Sequence, residues 1–234
     1  MPDLPEQNLW GQAHRCAILD GNAHAVMAVQ EFSDLRRYVR MMEQLINEAE
    51  RTEVENLRPE VVTLNTVDRN EFWMQYYPTH WDDVVREAFR ASTVIALVSF
   101  LETTLSRIAR DVSVVVEEAL SASDFGGSVV QRSKKYLIRF GGFQTDENGW
   151  AEMDEIIQIR NALAHANGNI DQCKNSNRIR KIIEKGPGLR DACGRISIDT
   201  SYLEHCLESV QIFLLSLSND MRGLCNRITQ LEDR

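Results

Sequence analysis

From about Asn22 to Arg58, the residues Val26, Val29, Phe32, Leu35, Val39, Met42, Leu45 and Ile46 recur at three- and four-residue steps, the spacing of one helix face. The same spacing runs through Ala88, Val94, Leu97, Val98, Leu101, Leu105 and Ile108 and predicts a second long helix over 81–120. A last one is predicted through Leu203, Leu207, Val210, Phe213, Leu214, Leu217, Met221 and Leu224, starting near Thr200 with Thr200 or Ser201 as its cap. Shorter helices are expected over 128–140, stopped by Gly141-Gly142, over 150–166, stopped by Asn167-Gly168, and over 170–185, stopped by Gly186-Pro187-Gly188. Prolines stand only at 2, 5, 59, 78 and 187, with Pro59 following the first helix, and β-type alternation is nearly absent. The expected fold class is all-α. Between the first two long helices, Phe72, Trp73, Tyr76, Tyr77, Pro78 and Trp81 follow no period. They read as an ordered loop folded back onto the core, or as a platform for stacking on RNA bases.

Composition narrows the function classes. The chain has 234 residues, 43% apolar and 26% charged, enough for a real core. No apolar run approaches the roughly 20 residues of a membrane span. The opening Met-Pro-Asp-Leu-Pro-Glu-Gln lacks the basic and apolar regions of a secretion signal, so a cytoplasmic protein with no membrane partner is expected. Cys16, Cys173, Cys193, Cys206 and Cys225 are odd in number and show no two-residue spacing, and read as reduced thiols. His14, His24, His80 and His205 are scattered and no glycine-rich phosphate loop is present, so neither a metal nor a cofactor is expected.

The net charge of −9 is unevenly spread. Residues 1–130 carry −10, residues 131–195 carry +4 and residues 196–234 carry −3. The basic island holds Lys134, Lys135 and Arg139 in one expected helix and Lys174, Arg178, Arg180 and Lys181 in another. These are candidate phosphate contacts for RNA, or a solvated face.

The helix expected over 150–166 breaks its own pattern. At about 100° per residue, with Ile156 at zero, Met153, Ile156, Ile157, Ile159 and Leu163 define an apolar face centred near 15°. Arg160 falls at about 40°, inside that face, where an unpartnered guanidinium is costly. Arg160 must therefore reach a partner, a cleft or a subunit interface, and Glu102 or Glu155 would serve as a purely structural partner. Asn161 and His165, four residues apart, point together along the flank of the helix. His165 also stands in the last turn, where the negative helix end suits an imidazolium. Arg, Asn and His together suit phosphodiester cleavage through the RNA 2′-hydroxyl, or form a buried structural network. Arg160 and His165 diverge by about 140° on the helix, so two copies paired about a twofold axis would be needed to bring them into one cleft.

The stretch Gln158-Ile159-Arg160-Asn161-Ala162-Leu163-Ala164-His165-Ala166-Asn167-Gly168 resembles the signature of the HEPN superfamily (higher eukaryotes and prokaryotes nucleotide-binding), in which Arg, usually followed by a polar Asn, precedes His by four to six residues. The segment Ser99-Phe100-Leu101-Glu102-Thr103-Thr104-Leu105 resembles the acidic helix many members carry, and Ile196 to Leu203 resembles their closing segment. The resemblance spans about residues 82–230. It implies a HEPN-like bundle over 82–234, with 1–81 as an extension and aromatic connector. It further implies a homodimer formed through the motif helices and metal-independent endoribonuclease activity leaving a 2′,3′-cyclic phosphate, in a toxin or antiviral defence role. Carried over, Arg160 and His165 are catalytic, Asn161 is supportive and Glu102 is a supporting carboxylate. An antitoxin or defence-system partner is also implied. The members silenced by nucleotidylation carry a Tyr two residues after the His, and Asn167 stands there instead. Some members only bind nucleotides, RNA or partner proteins, and a non-catalytic scaffold is the alternative expectation.

Overall fold

The computed structural model describes residues 15–19 and 24–232, the side chains of Tyr76 and Glu232 excepted; Asn22 and His14 lie outside the described residues. The fold is all-α with one small hairpin. Residues 15–19 are helical. Then come α1 (His24–Val62), α2 (Thr66–Glu71), α3 (Glu87–Val115), α4 (Val129–Tyr136), α5 (Glu147–Ala166), α6 (Ser176–Lys185), the strands β1 (Leu189–Ala192) and β2 (Arg195–Ile198), and α7 (Thr200–Glu232). Among the described residues, no helix is long and apolar enough to cross a membrane.

Several boundaries differ from the periodicity. Pro59 lies inside α1 and not beyond it. It forfeits one intrahelical bond, the one its N–H would make to the Glu55 carbonyl, and the buried Val61 anchors the same last turn of the helix. The aromatic connector is helical and not a loop. After α2, capped by the Asn65 side chain, the chain makes wide π turns over Phe72–Tyr76 and Thr79–Arg86 on either side of Pro78. A π turn has no 3.6-residue period, which is why the pattern read as irregular. The helix expected over 170–185 is split into a short 3-10 turn, Ile170–Gln172, and α6. The cap of α7 is Asp199, whose Oδ1 accepts from the Ser201 N–H at 2.8 Å and the Tyr202 N–H at 3.3 Å.

The described residues form two compact units from interleaved segments, those within Met1–Ser33, Leu97–Ile157 and Cys206–Arg234 in the first and those within Asp34–Ala96 and Gln158–His205 in the second. Residue 81, the expected boundary, falls inside the segment Asp34–Ala96. In the first unit, Phe32, Leu101, Leu105, Ile108, Val112, Met153, Leu207, Val210 and Leu217 are buried. Trp150 meets Phe213 edge-on, with centroids 4.7 Å apart. The start of α1 is pinned by the fully buried Asp111, which accepts from the His24 N–H at 3.0 Å and lies 2.8 Å from its Nδ1. Asp220 of α7 holds the turn before α5, accepting from Gln144 N–H at 3.1 Å and from Thr145 N–H at 2.9 Å and Oγ1 at 2.5 Å.

In the second unit, Val39, Val94, Ile159, Ile170, Ile179, Ile196 and Ile198 are buried. Arg90 of α3 donates to Glu43 of α1 at 3.1 Å, to the Ile198 carbonyl at 3.2 Å and to Thr200 Oγ1 at 2.8 Å. Glu87 accepts from the Ile198 N–H at 3.1 Å and from the Ser197 hydroxyl. These two charged residues tie the hairpin to α3. Gly188 enters the same corner at φ +71°, and a Cβ there would lie 1.9 Å from Asp199 Oδ1 and 2.3 Å from Ser201 Oγ.

Candidate functional site

Helix α5 ends in two left-handed residues, Asn167 (φ 48°) and Gly168 (φ 75°). The Gly168 N–H reaches back to the Ala162 carbonyl at 3.0 Å, and Arg195 donates to the Asn167 carbonyl at 3.2 Å. The chain then runs beside β2. Ile196 N–H donates to Gly168 O at 2.9 Å and Ile170 N–H donates to Gly194 O at 2.8 Å, so the segment after the helix is held by main-chain bonds to the hairpin. The Asn169 side chain caps the following turn through Asp171 N–H and Gln172 N–H.

This route returns residues 172–175 to the flank of α5 and encloses a cleft of about 470 Å³. Its α5 wall is Gln158, Asn161, Ala162, His165 and Ala166, a single helical stripe. Gln172, Cys173, Lys174 and Asn175 form the rest of the lining, with Ile179 of α6. His165 and Lys174 are exposed, Asn161 is half-buried, and Ala162 and Ile179 are buried. The cleft carries one lysine and no carboxylate, so it favours an anion. Lys174 and Asn175 also line an adjoining hollow of about 370 Å³ with Ser176, Asn177 and Arg178. Burial pushes the Cys173 thiol up, and its Sγ lies 3.3 Å from the Asn169 carbonyl, so it is a poor nucleophile.

Asn161 and His165 thus face one cleft, as their spacing predicts. Arg160 does not line that cleft; it is half-buried on another side of α5, with its Nε enclosed. Glu102 is half-buried on α3, in the first unit. The basic candidates divide into two sets. On α6 and the turn before it, Lys174 lines the cleft, Arg178 lines the adjoining hollow and Lys181 is exposed. Arg180 is held by Asp171 at 2.8 Å, with Asp191 at 4.0 Å, and the Asp171 hydrogen bond raises its pKa further. On α4, Lys134 pairs with Glu147 at 2.5 Å and Lys135 donates to the Gly126 carbonyl at 2.9 Å. Arg139, in the turn after α4, lies over the Phe140 ring at 5.4 Å. These three border a shallow groove with Phe125, Gln131 and Ile138. Among the described residues, no group of three or more His, Cys, Asp or Glu side chains could hold a metal ion.

Gln158, Gln172 and Asn175 escaped the sequence reading as site residues. Gln158 could have been found, since it stands one turn before Asn161 on the same flank. Gln172 and Asn175 could not, because the helix expected over 170–185 would carry them elsewhere. No family model, curated protein or solved structure matches the chain.

Proposed function

We propose that the protein is a metal-independent endoribonuclease of the HEPN type, acting as a homodimer in a toxin or antiviral defence role. The observation that carries this reading is the cleft that joins Asn161 and His165 to Lys174. Lys174 attracts the phosphate and Asn161 orients it. His165 takes the proton of the 2′-hydroxyl as O2′ attacks the adjacent phosphorus, the bond from phosphorus to O5′ breaks, and His165 of the second copy protonates the departing oxygen. The products are a 2′,3′-cyclic phosphate and a 5′-hydroxyl. Arg160 lies on another side of the helix from His165, and pairing two α5 helices about a twofold axis would let the guanidinium of one copy stabilise the charge developing beside the histidine of the other. Glu102 is assigned a supporting role, and an antitoxin or defence partner would act on the dimer. The residues 158–168, with their likeness to the HEPN motif, support the same reading.

The test is incubation of end-labelled RNA with purified protein in excess EDTA. Wild type produces cyclic-phosphate ends, and His165→Ala cuts about 10²–10⁴-fold more slowly, the usual contribution of one general acid or base. A His165→Ala protein as active as wild type removes the histidine from the mechanism. A second reading, RNA binding without chemistry, is favoured by the absence of Arg160 from the cleft. RNA retained by wild type but left uncut would select it.

A further inference from the structure

Four carboxamides, Gln158, Asn161, Gln172 and Asn175, line the cleft beside a single lysine and a single histidine. Among the described residues, none of the four amide groups makes a side-chain hydrogen bond, so their donors and acceptors are all available to a ligand. A carboxylate can only accept and a lysine can only donate, whereas a carboxamide offers both from one planar end. The matching partner is a planar group with a donor beside an acceptor, which is the edge of a nucleobase. The remaining lining suits the rest of a nucleotide. Ala162 and Ala166 leave room for a flat ring along α5, and Lys174 supplies the phosphate contact. A cleft of about 470 Å³ holds one such unit and not several.

We infer that this cleft reads one base of a single-stranded RNA, with Gln158 and Gln172 selecting the base next to the bond that is cut. The inference rests on the nuclease reading above for its consequence, while base selection itself can be measured without cleavage. Base edges are open to such contacts in single-stranded RNA. Selection would come from the walls of the cleft and not from the basic residues outside it, which touch phosphates alone.

The experiment uses DNA oligonucleotides carrying a single ribonucleotide, A, C, G or U, so that only one bond can be cut. Wild type cuts the four at rates spread over roughly tenfold or more, the discrimination expected of a good amide–base contact. Gln158→Ala and Gln172→Ala compress that spread toward equality. Gln172→Glu, which keeps the shape but loses the donor, reorders the four bases, an effect that a merely structural residue would not produce. In parallel, short labelled ribohomopolymers are titrated onto His165→Ala by fluorescence anisotropy. Equal cutting of all four substrates by wild type overturns the inference and leaves the nuclease standing. No cutting, together with base-selective binding that is lost in Gln172→Ala, overturns the nuclease and sustains the inference. Neither cutting nor base-selective binding overturns both.

Discussion

Gly188→Ala should be among the most damaging single-methyl changes in the chain. The residue has φ +71°, and an added Cβ meets Asp199 Oδ1 at 1.9 Å, Ser201 Oγ at 2.3 Å and Tyr202 N at 2.6 Å. The left-handed conformation alone costs about 1–2 kcal/mol for an L side chain. The close contacts fall on the Asp199 carboxylate, the Ser201 hydroxyl and the Tyr202 main-chain nitrogen, all three parts of the α7 cap, which must move, and losing an N-terminal cap costs about 1 kcal/mol more. A total of roughly 2–4 kcal/mol lowers the Tm of a chain this size by about 5–15 °C. Gly126→Ala is the control, because nothing lies within 4 Å of its Cβ position and its φ is not left-handed. It should leave the Tm within a degree or two of wild type or raise it slightly. Thermal melts by circular dichroism of both variants and of Asp199→Ala make the comparison. The double variant Gly188→Ala/Asp199→Ala should cost less than the sum of its parts, since both changes act through one cap. A Gly188→Ala protein that melts with Gly126→Ala would refute the argument.

Other consequences can be checked more briefly. The hydrogen bond from the Ser201 hydroxyl, followed by the Ser201 and Tyr202 N–H groups, holds the Asp199 carboxyl below its ordinary value. A lowered native pKa means that the unfolded chain takes up the proton first. The stabilisation is therefore complete above about pH 4 and disappears as the pH falls through the native value; Tm measured from pH 6 to pH 2.5 should fall less steeply in Asp199→Ala than in wild type. Asp220→Ala strands the Thr145 N–H and hydroxyl, and denaturant melts should show a loss of about 2–4 kcal/mol, a full loss of stability at this turn being the mark of an unsatisfied buried donor. Charge reversal separates the basic residues: Lys174→Glu should weaken RNA binding and lower the slope of log affinity against log salt by about one. Arg180→Glu should instead lower the Tm, because its guanidinium is already engaged by Asp171 and Asp191.

The helices, and the flank of α5 on which Asn161 and His165 stand, could be read from the chain because both follow from the 3.6-residue period. The position of Arg160 apart from His165 was legible in the same way. Beyond the regular period the reading weakened. The hairpin was hidden because its strands are four residues long and β1 buries only its first residue. Its turn places Cys193 at φ 53° before Gly194 at φ 85°, a geometry usually announced by Asn-Gly or Asp-Gly. Asp199 was overlooked as a cap beside two hydroxyl residues of similar capping strength. The rest of the cleft lining depended on all of this, since residues 172–175 reach α5 only through the left-handed pair Asn167 and Gly168 and the bonds to β2.

That attachment is made almost wholly by peptide groups. The bonds joining Gly168 and Ile170 to Ile196 and Gly194 involve no side chain, so they hold the backbone whatever residues stand at 172–175. Anchoring and recognition are thereby decoupled in this segment. Side chains at Gln172, Lys174 and Asn175 can be exchanged without moving the turn segment that presents them, and the wall of the cleft becomes a place where mutation can alter what is bound at little cost to folding. A library randomised at these three positions should yield a high proportion of soluble, cooperatively melting proteins, a tolerance that the fully buried Ile170 beside them would not share.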